Sequence, residues 1–350
     1  MSQLGRVASV TRKIIKYGGL GLVSYIILSW IFKFGVILWH QLNPPPPPPP
    51  TVAFGKLKAI EFPVSATDQQ FSYQLETPEG NLPSLSDRSA VYALPPKKAS
   101  LLALDQAKTL AKSLGFTDEP APLSSEIYRF SKQLPALLTL DVHLVNDTFI
   151  LKYQWPADEG ILRQSAFDSE LAIQKKAKQA LERLGLLRDD LETGETKITF
   201  LRASANIFIP TYSLSEADFV KVDLFRTEAE EIPIITPSPD EGNISLIFSG
   251  SNQPSKEMIL FKYDYFPVDY NSLATYPLKP IESAWEELEQ GLAFIARVKE
   301  TARETIVIRR IELALYDSDR YQPYMQPVYV FMGDDDFIAY LPAILSDWIE

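Results

Sequence analysis

Cysteine is absent from this 350-residue sequence, and histidine occurs only twice. A zinc site takes three or four ligands from Cys, His and carboxylate side chains, a thiol enzyme needs a cysteine, and a disulfide scaffold needs several. The composition therefore excludes most zinc, thiol and disulfide chemistry. What remains is an ordinary globular profile, since 46% of the residues are hydrophobic and 23% are charged.

Acidic residues are also missing from the start of the chain, where every charge before Glu61 is basic. When the five basic residues up to Lys33 are set aside, 29 of the 34 basic residues remain against 45 acidic ones. The net charge of that remainder is −16, compared with −11 for the whole chain. Phosphate contacts require clustered Lys and Arg, so this balance argues against a nucleic-acid partner.

A long apolar segment lies near the N-terminus. From Tyr17 to Trp39 the only charged residue is Lys33, and about 20 such residues span the hydrocarbon core of a bilayer. The sequence therefore predicts a transmembrane helix over residues 17–39 that contacts the lipid bilayer as an uncleaved signal anchor. A cleavable signal peptide is the alternative, although the segment is long for one and is followed by proline rather than by a small-residue cleavage site.

The distribution of basic residues predicts the orientation of this helix. A basic cluster precedes it, and no Lys or Arg occurs between Lys33 and Lys56. By the positive-inside rule, residues 1–16 are expected to be a cytoplasmic tail. The C-terminal part of the chain is then expected to be extracytoplasmic, in a single-pass protein of the cell membrane.

Seven consecutive prolines, Pro44–Pro50, follow the apolar segment. They predict a polyproline II rod, which at about 3.1 Å per residue reaches roughly 20 Å. We interpret residues 40–50 as a stalk, with a docking site for a proline-binding module as the alternative. Beyond the stalk, the sequence predicts two ectodomain units, at residues 51–155 and 156–350.

Three later segments have apolar residues at helical spacing, and each ends at a glycine. They are Ser100 to Gly115, about Ser165 to Leu184, and Ser283 to Gln290. Ser100 is placed as an N-cap, and Ser283 with Glu286 predicts a capping box.

Segments of strand character follow each helix. The chain is therefore predicted to be α+β, a threefold repetition of one helix followed by an antiparallel meander. The predicted strands cover residues 127–131, 137–145, 148–155, 197–202, 206–211, 219–225, 292–298, 305–316, 327–332 and 337–341, with short strands near 71–75 and 90–94 and a hairpin at 244–248 and 257–266.

The last predicted module, residues 281–350, carries a resemblance to a known group. The matching segments are Ala284–Leu288 with Gly291, Ile311–Tyr316, Gln326–Phe331 and Ala339–Ile344. Helix and meander together resemble the PepSY superclass, and this module is similar to the extracellular domains of the YycH/YycI group of bacterial membrane-anchored regulators. The resemblance implies a single-pass protein whose outer domain binds or restrains a partner, as that group modulates a membrane sensor kinase.

Aromatic residues give one candidate binding surface, for a glycan or an extended peptide. Phe261, Tyr263 and Tyr265 alternate along a strand and are expected in the core, because an antiparallel sheet buries one face. Four other tyrosines gather around two prolines and form the candidate surface. They are Tyr316, Tyr321, Tyr324 and Tyr329.

No catalytic, metal-binding or cofactor-binding residue is predicted. His143 and Asp141 are expected on the exposed face of one strand, but no placed nucleophile accompanies them. Asp317 with Asp319 and the run 334–336 fall where turns are expected. We interpret both as solvated turns, with weak calcium binding as the alternative.

These observations predict a membrane-anchored extracytoplasmic binding or regulatory protein rather than an enzyme. Its expected partner is a neighbouring membrane protein or an envelope polymer. Two alternatives stay open at this point. One is an envelope hydrolase, which would need two carboxylates about 5 to 10 Å apart in a cleft. The other is a purely structural surface spacer.

Overall fold

The computed structural model describes residues 3–42, 49–97, 100–163 and 167–350. The chain divides into two units, Met1–Pro49 and Pro50–Glu350.

The first unit contains one helix, α1 (Gln3–Leu42). Its segment Tyr17–Trp39 is long and apolar enough to cross a membrane, and the described side chains there are almost all exposed. One apolar helix near the N-terminus is compatible with a single-pass anchor and also with a signal sequence. Most of the expected stalk, residues 43–48, lies outside the described residues.

The second unit combines helices with many strands. Its helices are α2 (Ala103–Ser113), α3 (Glu170–Arg183), α4 (Asp189–Glu192), α5 (Pro254–Glu257) and α6 (Ile281–Glu289). Its strands are β1 (Ser72–Leu75), β2 (Arg88–Ala93), β3 (Ala121–Pro122), β4 (Ile127–Gln133), β5 (Leu137–His143), β6 (Thr148–Tyr153), β7 (Thr196–Ser204), β8 (Ile207–Thr211), β9 (Phe219–Leu224), β10 (Ile234–Ile235), β11 (Ile244–Ser249), β12 (Met258–Tyr263), β13 (Asp269–Pro277), β14 (Phe294–Arg297), β15 (Thr305–Tyr316), β16 (Tyr324–Gly333) and β17 (Ile338–Pro342).

Nine strands form an antiparallel sheet in the order β3-β4-β5-β6-β12-β11-β9-β7-β8. Along β5, Leu138, Leu140 and Val142 are buried and the residues between them are half-buried, the period of two that one covered face produces. Helices α2 and α3 contribute small and branched side chains, such as Ala107 and Ile173, to the same core as these strands.

The other eight strands form the second sheet, whose longest strand is β15. Strand β16 pairs with β15 and β17, and β14 completes that edge. Strands β1 and β10 pair with β15 in parallel, whereas β2 runs antiparallel to both β13 and β16. Ile281, Ala284 and Leu288 of α6 belong to the core of this sheet. The unit is thus α+β, with large and mainly antiparallel sheets.

Most helix ends lie close to their predicted positions. Gly115, Gly185 and Gly291 follow the three helices with φ of 85°, 67° and 75°, the left-handed conformation that glycine adopts at helix ends without strain. The predicted capping box at Ser283 is wrong. The helix begins at Ile281 after an N-cap at Pro280, so Ser283 lies inside it.

Strand pairing does not follow the expected division at residues 155 and 156. Strand β6 pairs with β12 across that point, and β1 and β2 pair with strands that come after residue 260. The physical reason is that a strand forms its backbone hydrogen bonds with whichever strands lie beside it in the sheet, and these neighbours are set by the tertiary fold rather than by order in the chain. The strands after α2 and α3 share one sheet, and those after α6 belong to the second.

Candidate functional site

An open cavity of about 630 Å³ lies between α2 and the chain that follows α3, over the nine-stranded sheet. We call it the α2 groove. Leu102 and Leu110 of α2 form one wall, and Leu184 and Leu186 form the opposite wall. The floor consists of sheet residues, namely Val142, Leu144, Phe149, Tyr263 and Tyr265.

Strand register explains the floor of the groove. Val142 is paired with Phe149, which is paired in turn with Tyr263, so the three side chains share one face of the sheet. The rings of Phe149 and Tyr263 stack with centroids 5.3 Å apart. Above them, α2 presents Ala103 and Ala107, whose short side chains leave the space over the aromatic rings unfilled.

Charged side chains lie on the rim of the groove. The ammonium group of Lys97 donates to the carbonyl oxygen of Asn146 at 2.5 Å and pairs with Asp147 at 2.9 Å. Arg188 is exposed and also lines the groove. Leu102, at the start of α2, is 61% exposed. The lining also includes the acidic residues Asp105 and Asp147, so the groove has an apolar interior, a rim with charges of both signs and an apolar residue at its entrance.

A buried ionic cluster lies beside the groove and centres on Arg226. The guanidinium pairs with Asp190 of α4 at 2.5 Å and with Asp317, which follows β15, at 2.7 Å. It also donates to the carbonyl oxygen of Phe266 at 2.6 Å. Arg226 follows β9 of the nine-stranded sheet, whereas Asp317 follows a strand of the other sheet. We call these residues the Arg226 cluster, and it links the two sheets.

Electrostatics within the Arg226 cluster favour the charged guanidinium. Burial opposes the charge, but Asp317, Tyr265 and Asp190 outweigh it and hold the pKa of Arg226 above its ordinary value. Burial raises the pKa of Asp317, and Arg226 opposes that rise. Two carboxyl groups thus share one buried cation, and the hydroxyls of Tyr265 and Tyr270 both donate to Asp190 at 3.0 Å.

Tyr265 belongs to both features. Its ring lines the α2 groove, its hydroxyl donates to Asp190, and the guanidinium of Arg226 lies 4.1 Å from its ring centroid. Burial is the main reason that its pKa is raised to about 12. A molecule in the groove would therefore contact a side chain that is bonded directly to the link between the sheets.

The four tyrosines of the candidate surface do not lie together on one surface. Tyr316 and Tyr329 are buried in two different core clusters, because most of β16 and the end of β15 are covered on both faces. Tyr321 and Tyr324 are half-buried and line a separate cavity of about 360 Å³ with Lys56 and other residues. Only this second pair remains accessible, so the four-residue surface was not a correct prediction.

The remaining candidates have structural roles. His143 lies 3.3 Å from Glu126, whereas Asp141 pairs with Arg129 on the next strand. The two therefore form no catalytic pair with each other. Phe261, Tyr263 and Tyr265 are buried, as predicted.

The two acidic segments differ from each other. Residues 334–336 form the turn between β16 and β17, where Asp334 pairs with Arg309. Asp317 was predicted in a solvated turn but is buried against Arg226. Among the described residues, no three His, Asp or Glu side chains are placed to hold a metal ion.

Sequence reasoning missed both the α2 groove and the Arg226 cluster. Arg226 lies two residues after the apolar strand β9, and Asp317 directly follows the buried end of β15. A charged residue next to the buried end of a strand is a usable signal, but the partner of each one lies far away in the sequence. Only the tertiary structure brings these partners together.

Comparison with known proteins gives little further information. No protein-family model and no curated protein matches the chain. Among solved structures, an uncharacterized protein from Eubacterium rectale is similar to it, with a TM-score of 0.35 and 10% identity over 73% of this chain and 82% of that chain. A similarity at this level supports no statement about function.

Proposed function

We propose that this protein is a membrane-anchored, extracytoplasmic binding or regulatory protein, and that the α2 groove is its binding site. Residues 17–39 anchor it in the bilayer with the N-terminus in the cytoplasm, and the proline run Pro44–Pro50 serves as the spacer to the folded unit. The folded unit beyond consists of helix-and-meander modules of the PepSY or YycH/YycI type. It engages a neighbouring membrane protein or an envelope component, without catalysis.

The α2 groove is the observation that carries this proposal. Its volume of about 630 Å³ falls within the range of about 300 to 1,000 Å³ that is typical of ligand sites. Its walls and floor are mainly apolar, which is typical of sites that bind ligands or extended segments of a partner. The contact from Tyr265 to Asp190 supports a regulatory role, because it connects the groove with the link between the sheets.

Photo-crosslinking in cells tests the proposed site. A photoreactive phenylalanine analogue replaces Leu102 at the entrance of the groove, and a matched variant carries it at Tyr212, which is fully exposed after β8. We expect an adduct from position 102 and none from position 212. Ala107→Phe, which fills the groove, is expected to remove the adduct. Equal labelling at both positions, or no adduct at either, would contradict the proposal.

A topology reporter tests the orientation separately. A reporter domain is fused after Glu350, and a second copy is fused before Gln3 as the matched control. We expect the C-terminal fusion to report an extracytoplasmic position and the N-terminal fusion a cytoplasmic one. The opposite pattern would refute the proposed orientation without affecting the groove.

A further inference from the structure

Another open cavity, of about 620 Å³, lies between the two sheets. We call it the inter-sheet cleft, and its lining shares no residue with the α2 groove. Lys197 of the lining belongs to the nine-stranded sheet, whereas Val330, Met332 and Tyr340 belong to the other sheet. A cavity of this volume is large enough for a ligand or a short peptide segment.

A buried hydroxyl in the cleft has no partner among the residues that the structure describes. Tyr340 is only 1% exposed and lines the cleft. Burial raises the pKa of Tyr340, so the phenol is neutral at ordinary pH and can donate a hydrogen bond. Buried phenols usually find a partner, and this hydroxyl is therefore available to a molecule bound in the cleft.

The cleft is also lined by a strand with an open edge. The N–H groups of Leu315 and Asp317 donate to the carbonyl oxygens of Pro233 and Ile235. Because backbone groups alternate in direction along a strand, the N–H and C=O of Ile234 point away from β15. Within the described ranges β10 pairs with β15 alone, and Ile234 lines the cleft. An open strand edge can accept an extended segment of another chain through backbone hydrogen bonds.

The cations of the cleft are already neutralised by carboxylates of the protein. The lining contains three glutamates and two cations. Lys197 pairs with Asp240, and Arg226 is held by the two carboxylates of the Arg226 cluster. One of the three glutamates, Glu312, pairs with Arg310.

The charges that remain for a ligand are negative. Glu195 and Glu228 are exposed, line the cleft and form no ion pair in the part of the chain that the structure describes. Glu230 and Glu231 follow in an exposed turn with φ of 50° and 66°. A ligand that enters beside Glu228 therefore meets a negative potential, which attracts cations and repels anions.

We propose that the inter-sheet cleft binds an extended segment of a protein partner that carries lysine or arginine beside apolar residues. The basic side chains contact Glu195 and Glu228, the apolar ones pack on Val330 and Met332, and the backbone pairs with Ile234. A free amine would use the glutamates but leave the strand edge and the apolar surface unoccupied. The cleft is a second binding site, in addition to the α2 groove.

Thiol labelling tests the proposal selectively, because the chain contains no cysteine. Met332→Cys places one thiol in the cleft, and Ser204→Cys, at an exposed position of β7, is the matched control. Each full-length protein is placed in phosphatidylcholine nanodiscs, and its reaction with N-ethylmaleimide is followed with and without the peptide acetyl-Lys-Val-Lys-Val-Lys-amide. We expect the peptide to protect position 332 in a saturable way and to leave the labelling rate at position 204 unchanged. Ile338→Cys, at the position paired with Met332, is the second reporter.

Charge variants identify the groups that bind the peptide. Glu195→Gln combined with Glu228→Gln is expected to weaken the protection by about threefold to tenfold, the change for losing two exposed ion pairs. Glu79→Gln combined with Glu300→Gln removes the same charge at exposed positions outside the cleft and should leave the protection unchanged. The peptide with glutamine in place of lysine, and butylamine at the same amine concentration, are expected to protect weakly.

Four results would overturn the proposal. They are no protection at either reporter position, equal protection by the glutamine peptide, equal protection by butylamine, and equal weakening by the Glu79 and Glu300 pair. Equal protection by butylamine would mean that the cleft takes a free amine rather than a segment of a partner. Because the cleft and the α2 groove share no residue, the photo-crosslinking result at position 102 stands whichever of these occurs.

Discussion

The α2 groove and the Arg226 cluster both involve Tyr265, but they differ in which kind of side chain they expose and which they bury. The groove leaves apolar side chains such as Leu102 and Leu110 accessible, whereas the cluster buries a guanidinium and two carboxyl groups. Burial of apolar surface normally stabilises a protein, whereas a charged group is normally more stable in water than in the interior. An open apolar groove is therefore suited to binding, and a buried charge set with full hydrogen bonding is suited to fixing one arrangement of the two sheets.

The largest expected effect on stability comes from disrupting the Arg226 cluster. Arg226→Met keeps the length of the side chain but leaves Asp190 and Asp317 buried without their cation. We expect a loss of about 3 to 5 kcal/mol in the free energy of unfolding, the cost of stranding a buried charge. Urea unfolding of the full chain in nanodiscs, followed by circular dichroism, measures it.

A charge-matched variant controls for this effect. Arg310, which is 69% exposed in its side chain and pairs with Glu312, is changed to Met and is expected to leave stability nearly unchanged. Adding Asp190→Asn and Asp317→Asn to Arg226→Met is expected to recover part of the loss. A cost as small as that of the Arg310 variant would show that the cluster does not hold the sheets together.

A smaller effect is expected at Tyr265, where the two regions meet. Tyr265→Phe removes the hydrogen bond to Asp190 and is expected to cost about 1 to 3 kcal/mol near neutral pH. The pKa of Tyr265 is raised from 10.0 to about 12 in the folded protein. Unfolded chains then lose this proton first, so the stability that the neutral phenol contributes is lost as the pH rises from 10 to 12.

The difference in the free energy of unfolding between the unmodified protein and Tyr265→Phe should therefore become smaller as the pH rises from about 10 to about 12. Urea midpoints of the unmodified protein and of Tyr265→Phe, measured in parallel across this pH range, test this. Tyr128→Phe, at a half-buried position of β4, is the control. A difference that stays constant or widens would contradict the assignment of the phenol as the donor to Asp190.

A weaker link between the sheets is expected at Asp240. Lys197 of β7 donates to its carboxylate at 2.5 Å, and Arg297 of β14 also pairs with it. Burial opposes the charged form, but these two cations lower the pKa of Asp240 below its ordinary value. Asp240→Asn is expected to cost at most about 1 kcal/mol, because the pairs are half-exposed.

Salt and pH distinguish this link from the buried cluster. The cost of Asp240→Asn should shrink in high salt, and it should disappear on acidification as the pH falls through the lowered pKa of Asp240. Asp68→Asn, an exposed residue, is the control for charge alone. A cost that is insensitive to salt would show that Asp240 acts as a buried group.

The smallest effect on stability is expected in the α2 groove. Leu102→Ser removes an apolar side chain that is already 61% exposed, so the free energy of unfolding should change by no more than about 0.5 kcal/mol. Leu140→Ala, at a fully buried position of β5, is expected to cost about 2 to 5 kcal/mol. Similar losses in thermal or urea unfolding would mean that the groove is part of the packed core.

Local pattern predicted much of this fold. The predicted strands 137–145, 257–266 and 305–316 lie within a few residues of the observed bounds of β5, β12 and β15. Strand β13 was not predicted, because polar residues such as Asn271 interrupt its alternation and its pairing with β2 contains a bulge after Asp269. Nothing local in residues 72–75 indicates that they pair in parallel with β15.

The candidate site was much less predictable. Tyrosines near prolines were expected at a surface, yet Tyr316 and Tyr329 lie in the core because both faces of the sheet are covered at these two positions. The groove depends on the short side chains of α2 meeting a particular row of sheet residues, and that row is set by the register of three strands. Register across distant strands is a property of the assembled sheet.

The sequence by itself determined the α+β fold class, the apolar helix near the N-terminus and most of the helices and strands. These follow from spacing, charge and turn residues, which act over a few positions. The tertiary structure alone decided which strands share a sheet, where apolar surface stays open and which charges are buried together. Arg226, Asp190 and Asp317 are separated by 36 and 91 positions, and only the packing of the two sheets makes a single buried cluster of them.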